Sequence, residues 1–261
     1  MLRGIKLYTP NTLAYPGACA TIKGKKNRRF RRRLGGTDMD RALFRQAIIK
    51  FSGGLLLTGT LLFLPAGSFA FRQAWLLLGV LFVPMLAAGF VMLFKSPELL
   101  RKRLSAKEEH GEQRTVVALS GLLFTAAFVL AGLNWRFGWF VLPDAVSWAA
   151  ALVFLLGYAL YAEVLRENVY LSRTVEVQEG QKVIDTGLYG VVRHPMYMST
   201  LLLFLSMPLI LGSPISFLLM LLYIPIIAKR IRNEEQVLER GLEGYADYKR
   251  RVKYRMIPCV W

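Results

Sequence analysis

From Leu43 onward the chain alternates long apolar runs with short basic segments, and this alternation limits the fold more than any other feature. Residues 47–64, 74–94, 116–133 and 146–165 each come close to the roughly 20 residues that cross a bilayer as a helix. A fifth apolar region, 196–228, exceeds one straight crossing and is interrupted by Pro208 and by Gly212-Ser213-Pro214. Proline inside a helix removes a backbone hydrogen bond, and Gly-Ser-Pro signals a turn, so this region reads as two helical arms of a hairpin rather than one long tilted helix. The expected fold is all-α and polytopic: four spanning helices plus a C-terminal helical hairpin, in contact with the lipid bilayer.

Charge sets the expected orientation. The chain is 54% hydrophobic yet carries 34 Lys and Arg against 17 Asp and Glu, a formal charge of +17. A soluble nucleic-acid binder would explain the charge but not the apolar excess, so no nucleic-acid partner is expected. Lys95, Arg101, Lys102, Arg103, Lys107 and Arg114 crowd one inter-run segment, whereas 65–73 and 134–144 hold one Arg each. Basic loops stay cytoplasmic, which gives cytoplasmic N- and C-termini, and the hairpin returns the basic tail to that same side. Trp75, Trp135, Trp139 and Trp148 fall at run ends, as interfacial aromatics do. Thirteen Lys and Arg against two Asp lie within the first 50 positions. Residues 1–38 read as a basic disordered arm, and Met39, just after Gly35-Gly36-Thr37-Asp38, offers a second start, so that the arm need not belong to the native product. The remaining organisation is 39–165 as the four spans and 166–261 as a cofactor-binding segment, hairpin and cytoplasmic tail. Cys19 and Cys259 provide no disulfide framework.

Absences narrow the chemistry. Two histidines, His110 and His194, cannot build a His-Glu-x-x-His zinc helix, and no phosphate loop, dinucleotide glycine fingerprint or Gly-x-Ser-x-Gly elbow occurs. What remains is concentrated in Gln181-Lys182-Val183-Ile184, Tyr189, Arg193-His194-Pro195-Met196-Tyr197 and Arg230 to Glu235. Pro195 suits a first helical turn, placing His194 near the N-cap, where unpaired backbone N–H groups favour an anion. The faces of Tyr189 and Tyr197 suit a cation such as a sulfonium, or anchor at the interface. Arg230 and Glu234, four apart, share one helix face, either as a solvated pair or as part of a site. The hairpin brings its ends together, so His194, Tyr197, Arg230 and Glu234 can surround one site. Glu163, Arg166, Glu167 and Asn168, at the end of the fourth run, either pair at the boundary or line a cavity.

From about Glu163 onward these residues resemble the isoprenylcysteine carboxyl methyltransferase family and, more distantly, the membrane phospholipid N-methyltransferases. The likeness rests on Gly187-Leu188-Tyr189, Arg193-His194-Pro195-Met196-Tyr197, Arg230 with Glu234-Glu235, and the tail Gly244-Tyr245-Ala246-Asp247-Tyr248, Val252 and Arg255-Met256-Ile257-Pro258. Ser199 departs from it, since relatives often have Gly there. The resemblance implies S-adenosylmethionine as methyl donor and a lipophilic acceptor entering from the bilayer. It also implies cofactor contacts at Gln181, Lys182, Val183, Ile184, Tyr189, His194, Pro195, Met196, Tyr197 and Glu234, and a substrate-side Arg230 as the catalytic residue; no metal is expected. A carboxylate acceptor needs no base, whereas an amine would need one, with Glu234 or Glu235 as candidates. Kept beside this reading are phospholipid N-methylation, a nicotinamide-dependent membrane reductase and a non-enzymatic membrane scaffold.

Overall fold

The computed structural model describes residues 41–104, 111–171 and 177–261; the basic arm 1–38 and His110 lie outside the described residues. Apolar runs become helices throughout, and no strand occurs among the described residues. Four long helices come first: α1 (Arg41–Ala66), α2 (Arg72–Lys95), then after the short α3 (Pro97–Leu104), α4 (Gly111–Phe137) and α5 (Asp144–Glu167). A 3₁₀ turn at Gly187–Gly190 precedes α6 (Pro195–Ile210), α7 (Pro214–Met220), α8 (Tyr223–Gly241) and α9 (Tyr245–Arg251).

Among the described residues, five stretches are long and apolar enough to cross a membrane: α1, α2, Thr115–Phe137, α5, and the Pro214–Gly241 stretch formed by α7 and α8. Their outer faces confirm the environment. Leu56 is 70% exposed, Leu122 68% and Val83 67%, an apolar exterior that water would not tolerate and lipid solvates. This is a multi-pass membrane protein.

Packing between these helices relies on small residues and a few cross-helix hydrogen bonds, because lipid supplies no hydrophobic drive for apolar helices to associate. At the α1–α4 crossing, a Cβ on Gly132 would lie 2.6 Å from the Leu62 carbonyl oxygen, so only glycine permits that approach. Gly157 plays the same part at the extensive α5–α6 contact, with Leu203 3.1 Å from its would-be Cβ. The Tyr158 hydroxyl donates to the Leu81 carbonyl (2.8 Å), and Ser216 donates to that of Ala127 (2.9 Å).

The hairpin forms, with a refinement in its second arm. Gly212, at φ 69°, makes the reversal after α6, and the Leu142 N–H donates to its carbonyl (3.3 Å), tying this turn to the α4–α5 loop. The second arm breaks at Leu221 and Leu222, between α7 and α8. Pro225 explains it: the ring lacks an N–H and crowds the carbonyl of Leu221 four residues earlier. The first arm has 16 residues, short for a straight crossing, whereas the second stretch has 28. At the far end of both arms, α6 begins beside the charged half of α8, and the site lies there.

Candidate active site

Three segments converge where the hairpin's open ends meet. The first follows α5. Asn168, its C-cap, donates from Nδ2 to the Tyr189 hydroxyl (2.9 Å) and accepts the Tyr170 N–H on Oδ1 (3.0 Å). The Tyr189 carbonyl in turn accepts from the Tyr248 hydroxyl (2.8 Å), so α5, the 3₁₀ turn and α9 are linked through one tyrosine. Burial pushes the Tyr189 phenol up to about 12, outweighing the opposing effect of the Asn168 amide, and Tyr189 therefore stays neutral.

The second segment is the start of α6. His194 is the N-cap and Pro195 the first helical residue, but the side chain of His194 makes no capping bond. Its ring turns instead to Glu235, Nε2 lying 3.4 Å from Oε1. Glu235, only 3% exposed, is a hub: Arg193 Nε donates to Oε1 (2.8 Å) and Arg255 Nε to Oε2 (2.9 Å). Arg193 further donates to the carbonyls of Val252 (2.6 Å) and Lys253 (2.8 Å). A buried carboxylate and guanidinium persist only when paired and hydrogen-bonded in this way. The C-terminal tail is thereby sewn onto the head of α6.

Two expectations change as a result. The Arg193 and His194 N–H groups donate to the Tyr254 (3.0 Å) and Arg255 (2.7 Å) carbonyls, Pro195 has none, and those of Tyr197 and Met198 go to the His194 carbonyl. Most of the helix start is therefore bonded to the protein's own carbonyls, and Met196, which lines the cleft, supplies the N–H that remains for a ligand. Glu235, held by Arg193, Arg255 and His194, has both carboxylate oxygens engaged by the protein itself.

The third segment is α8. Tyr197 bridges the arms: its hydroxyl accepts from Arg230 Nε (2.9 Å) and donates to Glu234 Oε2 (2.5 Å). Around this relay lies an open cleft. Gln181, Lys182, Val183, Ile184, Tyr189, His194, Met196, Tyr197, Arg230 and Glu234 all line it. Pro195, fully buried behind His194, does not; its ring shapes the helix start rather than a cleft wall. Of the residues ending α5, Asn168 lines the cleft, Glu163 pairs with Arg166 (2.6 Å), and Glu167 accepts from Thr186.

Sequence reasoning gave no site role to Tyr170, Leu171, Arg193, Leu238, Leu242, Tyr245 or Tyr248, which also line the cleft. One signal for two of them was present. Arg230, Glu234 and Leu238 recur every four residues as a ridge along α8, and Leu242, its C-cap, continues it from the polar to the apolar end of the cleft. The tyrosines of α9 belong to the tail motif Gly244-Tyr245-Ala246-Asp247-Tyr248 that carries the family likeness, but their place in the cleft depends on the tail folding back. No group of acidic, His or Cys side chains suited to a metal occurs among the described residues.

Residues 145–243, from α5 to just past α8, match the family model described as phospholipid methyltransferase. Among curated proteins, a Delta(14)-sterol reductase of Arabidopsis thaliana is 28% identical over 141 residues, 48% of this chain and 38% of the relative. Delta(14)-sterol reductase TM7SF2 of Mus musculus is 31% identical over 91 residues, 34% of this chain and 22% of the relative. A third, from Methylotuvimicrobium alcaliphilum, is 24% identical over 93 residues, again 22% of the relative. The chain thus covers well under half the length of each of these relatives. The likeness is to the broad group of membrane methyltransferase-like proteins and to Delta(14)-sterol reductases.

Proposed function

We propose that the protein is an integral membrane methyltransferase that uses S-adenosylmethionine and a lipophilic acceptor. The observation that carries this is the cleft's chemistry: the Glu234 carboxylate, fixed by Tyr197, stands in a wall that includes five tyrosines. A carboxylate among aromatic rings favours a bound cation, and Tyr faces contribute roughly 0.5 to 2 kcal/mol to such binding. The donor set fits S-adenosylmethionine, which supplies a methyl group on a positively charged sulfonium. His194, Tyr197, Tyr189 and Glu234 would hold its charged part, with Gln181, Lys182, Val183, Ile184 and Met196 around it. Arg230 aligns an acceptor carboxylate through paired hydrogen bonds, its plane steadied by Tyr197. Leu171, Val183, Leu238 and Leu242 give the same cleft an apolar wall. The favoured acceptor is a carboxylate, as in isoprenylcysteine O-methylation, with a phosphatidylethanolamine amine as alternative. For an amine, Glu234 takes the proton, since Glu235 is already engaged. The site faces the cytoplasm, by the distribution of basic residues.

The sterol reductase relatives favour a second reading, a nicotinamide-dependent membrane reductase. Incubating membranes that contain the protein with methyl-labelled S-adenosylmethionine separates these readings. The proposal expects label in the lipid-soluble fraction above an empty-vector control, released by mild base if the product is an ester and retained if it is an amine. Failure to label any acceptor, alongside reductant-dependent loss of a sterol double bond, would decide for the reductase.

A further inference from the structure

Tyr245 stands apart from the other cleft tyrosines. Its side chain is 97% buried, at 3% relative exposure, and it lines the cleft, yet its hydroxyl has no hydrogen-bond partner. Tyr189 and Tyr197 have their hydroxyls paired, and that of Tyr248 donates to a carbonyl. An unpaired buried hydroxyl is costly, and buried polar groups without a partner are rare in folded proteins. Because water is already excluded from it, a hydrogen bond to a ligand there would not be traded against one to solvent.

The surroundings indicate what reaches it. Tyr245 packs with Leu242 and Tyr248, and with Val183 and Leu238 at the edge of that cluster; all five line the cleft. The Tyr245 and Tyr248 rings lie 5.7 Å apart. This end is aromatic and apolar, its two rings inclined at 56°, whereas Arg230, Glu234 and His194 mark the polar end. A heterocyclic base suits the former and a charged group the latter. Burial raises the Tyr245 phenol well above its ordinary range, with Glu235 and Glu234 adding to the effect, so the group remains a donor. Arg193 opposes the two carboxylates, so the field at the hydroxyl is mixed and the acceptor it meets need not carry a charge.

We infer that Tyr245 is a ligand-binding residue for an adenosyl group, its hydroxyl donating to a neutral acceptor of the nucleoside, a ring nitrogen or a ribose oxygen. This rests on the proposed function only in requiring a nucleoside cofactor, since S-adenosylmethionine and a reduced nicotinamide dinucleotide both carry an adenosyl group.

The test uses the full chain in detergent, wild type and Tyr245→Phe, titrated with S-adenosylhomocysteine and separately with NADPH, with thermal unfolding measured without ligand. The expected result is an affinity lower by about fivefold to tenfold for whichever compound binds the wild type, the size of one hydrogen bond. The ligand-free melting temperature should be unchanged or higher, because a buried unpaired hydroxyl has been removed. Affinity within about twofold of wild type overturns the inference and assigns the hydroxyl to an ordered water. A lower melting temperature together with weaker binding also overturns it, because the hydroxyl then supports the fold. If only NADPH binds the wild type, the methyltransferase reading fails while Tyr245 is judged on the NADPH titration; if neither binds, both fail.

Discussion

Glu235 and Glu234 are adjacent, yet the structure gives them opposite tasks. Glu235 faces the tail, where Arg193 and Arg255 occupy its two oxygens; Glu234 faces the cleft through Tyr197. Glu235→Ala leaves the Arg193 guanidinium, whose side chain is 4% exposed, without its carboxylate. Breaking a buried pair in this way costs about 3 to 5 kcal/mol, so thermal unfolding should show a drop of about 10 °C, and a change under about 2 °C would contradict the hub. Tyr197→Phe removes the bridge between Arg230 and Glu234 without disturbing Glu235. Its kcat/KM for methyl transfer should fall about 10- to 100-fold, as expected for a hydroxyl bonded to charged groups, with a nearly unchanged melting temperature. Activity within about twofold of wild type would show that the relay does not matter. The pairing of Glu235 with Arg193 was not legible in the sequence. The order Arg193-His194 and Glu234-Glu235 shows charges that can meet across a hairpin, but only the tail folding back over α6 decides which carboxylate is covered.

At the level of elements, the four long helices were readable because each apolar run is bounded by charge or by a Gly or Pro turn, and the ends differ from the expected ones by only a few residues. The break between α7 and α8 was missed although Pro225 is plain in the sequence, since an apolar run hides an interruption until the backbone bonds are followed. Helix crossings were equally hidden: glycines at 121 and 132 look alike, yet one faces open space and the other a backbone. Gly132→Ala should therefore lower the melting temperature, by an amount set by about 1 to 3 kcal/mol of overpacking, while Gly121→Ala should not. Equal melting temperatures for the two variants would contradict the close α1–α4 crossing. The hairpin also makes a claim about sides. In a Cys19→Ser background, Cys259 should react with an impermeant thiol reagent only from the cytoplasmic face of sealed vesicles, and Ser68→Cys only from the other. Labelling of both from one face would overturn the orientation argued from charge.

Taken whole, the molecule keeps its apolar exterior and its chemistry apart. The α1–α2 and α4–α5 loops and the α6–α7 turn lie at one end, where Gln73 bonds to Asp144 (3.0 Å) and Leu142 to Gly212. The cleft lies at the other end, built from the segments after α5 and around α6, α8 and α9. That division fits the many charged residues of the C-terminal third, among which Arg230 and Glu234 line the cleft. The match of residues 145–243 to the phospholipid methyltransferase model covers the helices that carry most of the cleft, and the reductase relatives show that similar stretches occur in proteins of another name. The decisive property is therefore the cofactor. Calorimetric titration of the purified full chain with S-adenosylhomocysteine and with NADPH tests it most directly. Saturable one-to-one binding of S-adenosylhomocysteine and none of NADPH is expected; saturable NADPH binding with no heat from S-adenosylhomocysteine would contradict the methyltransferase reading.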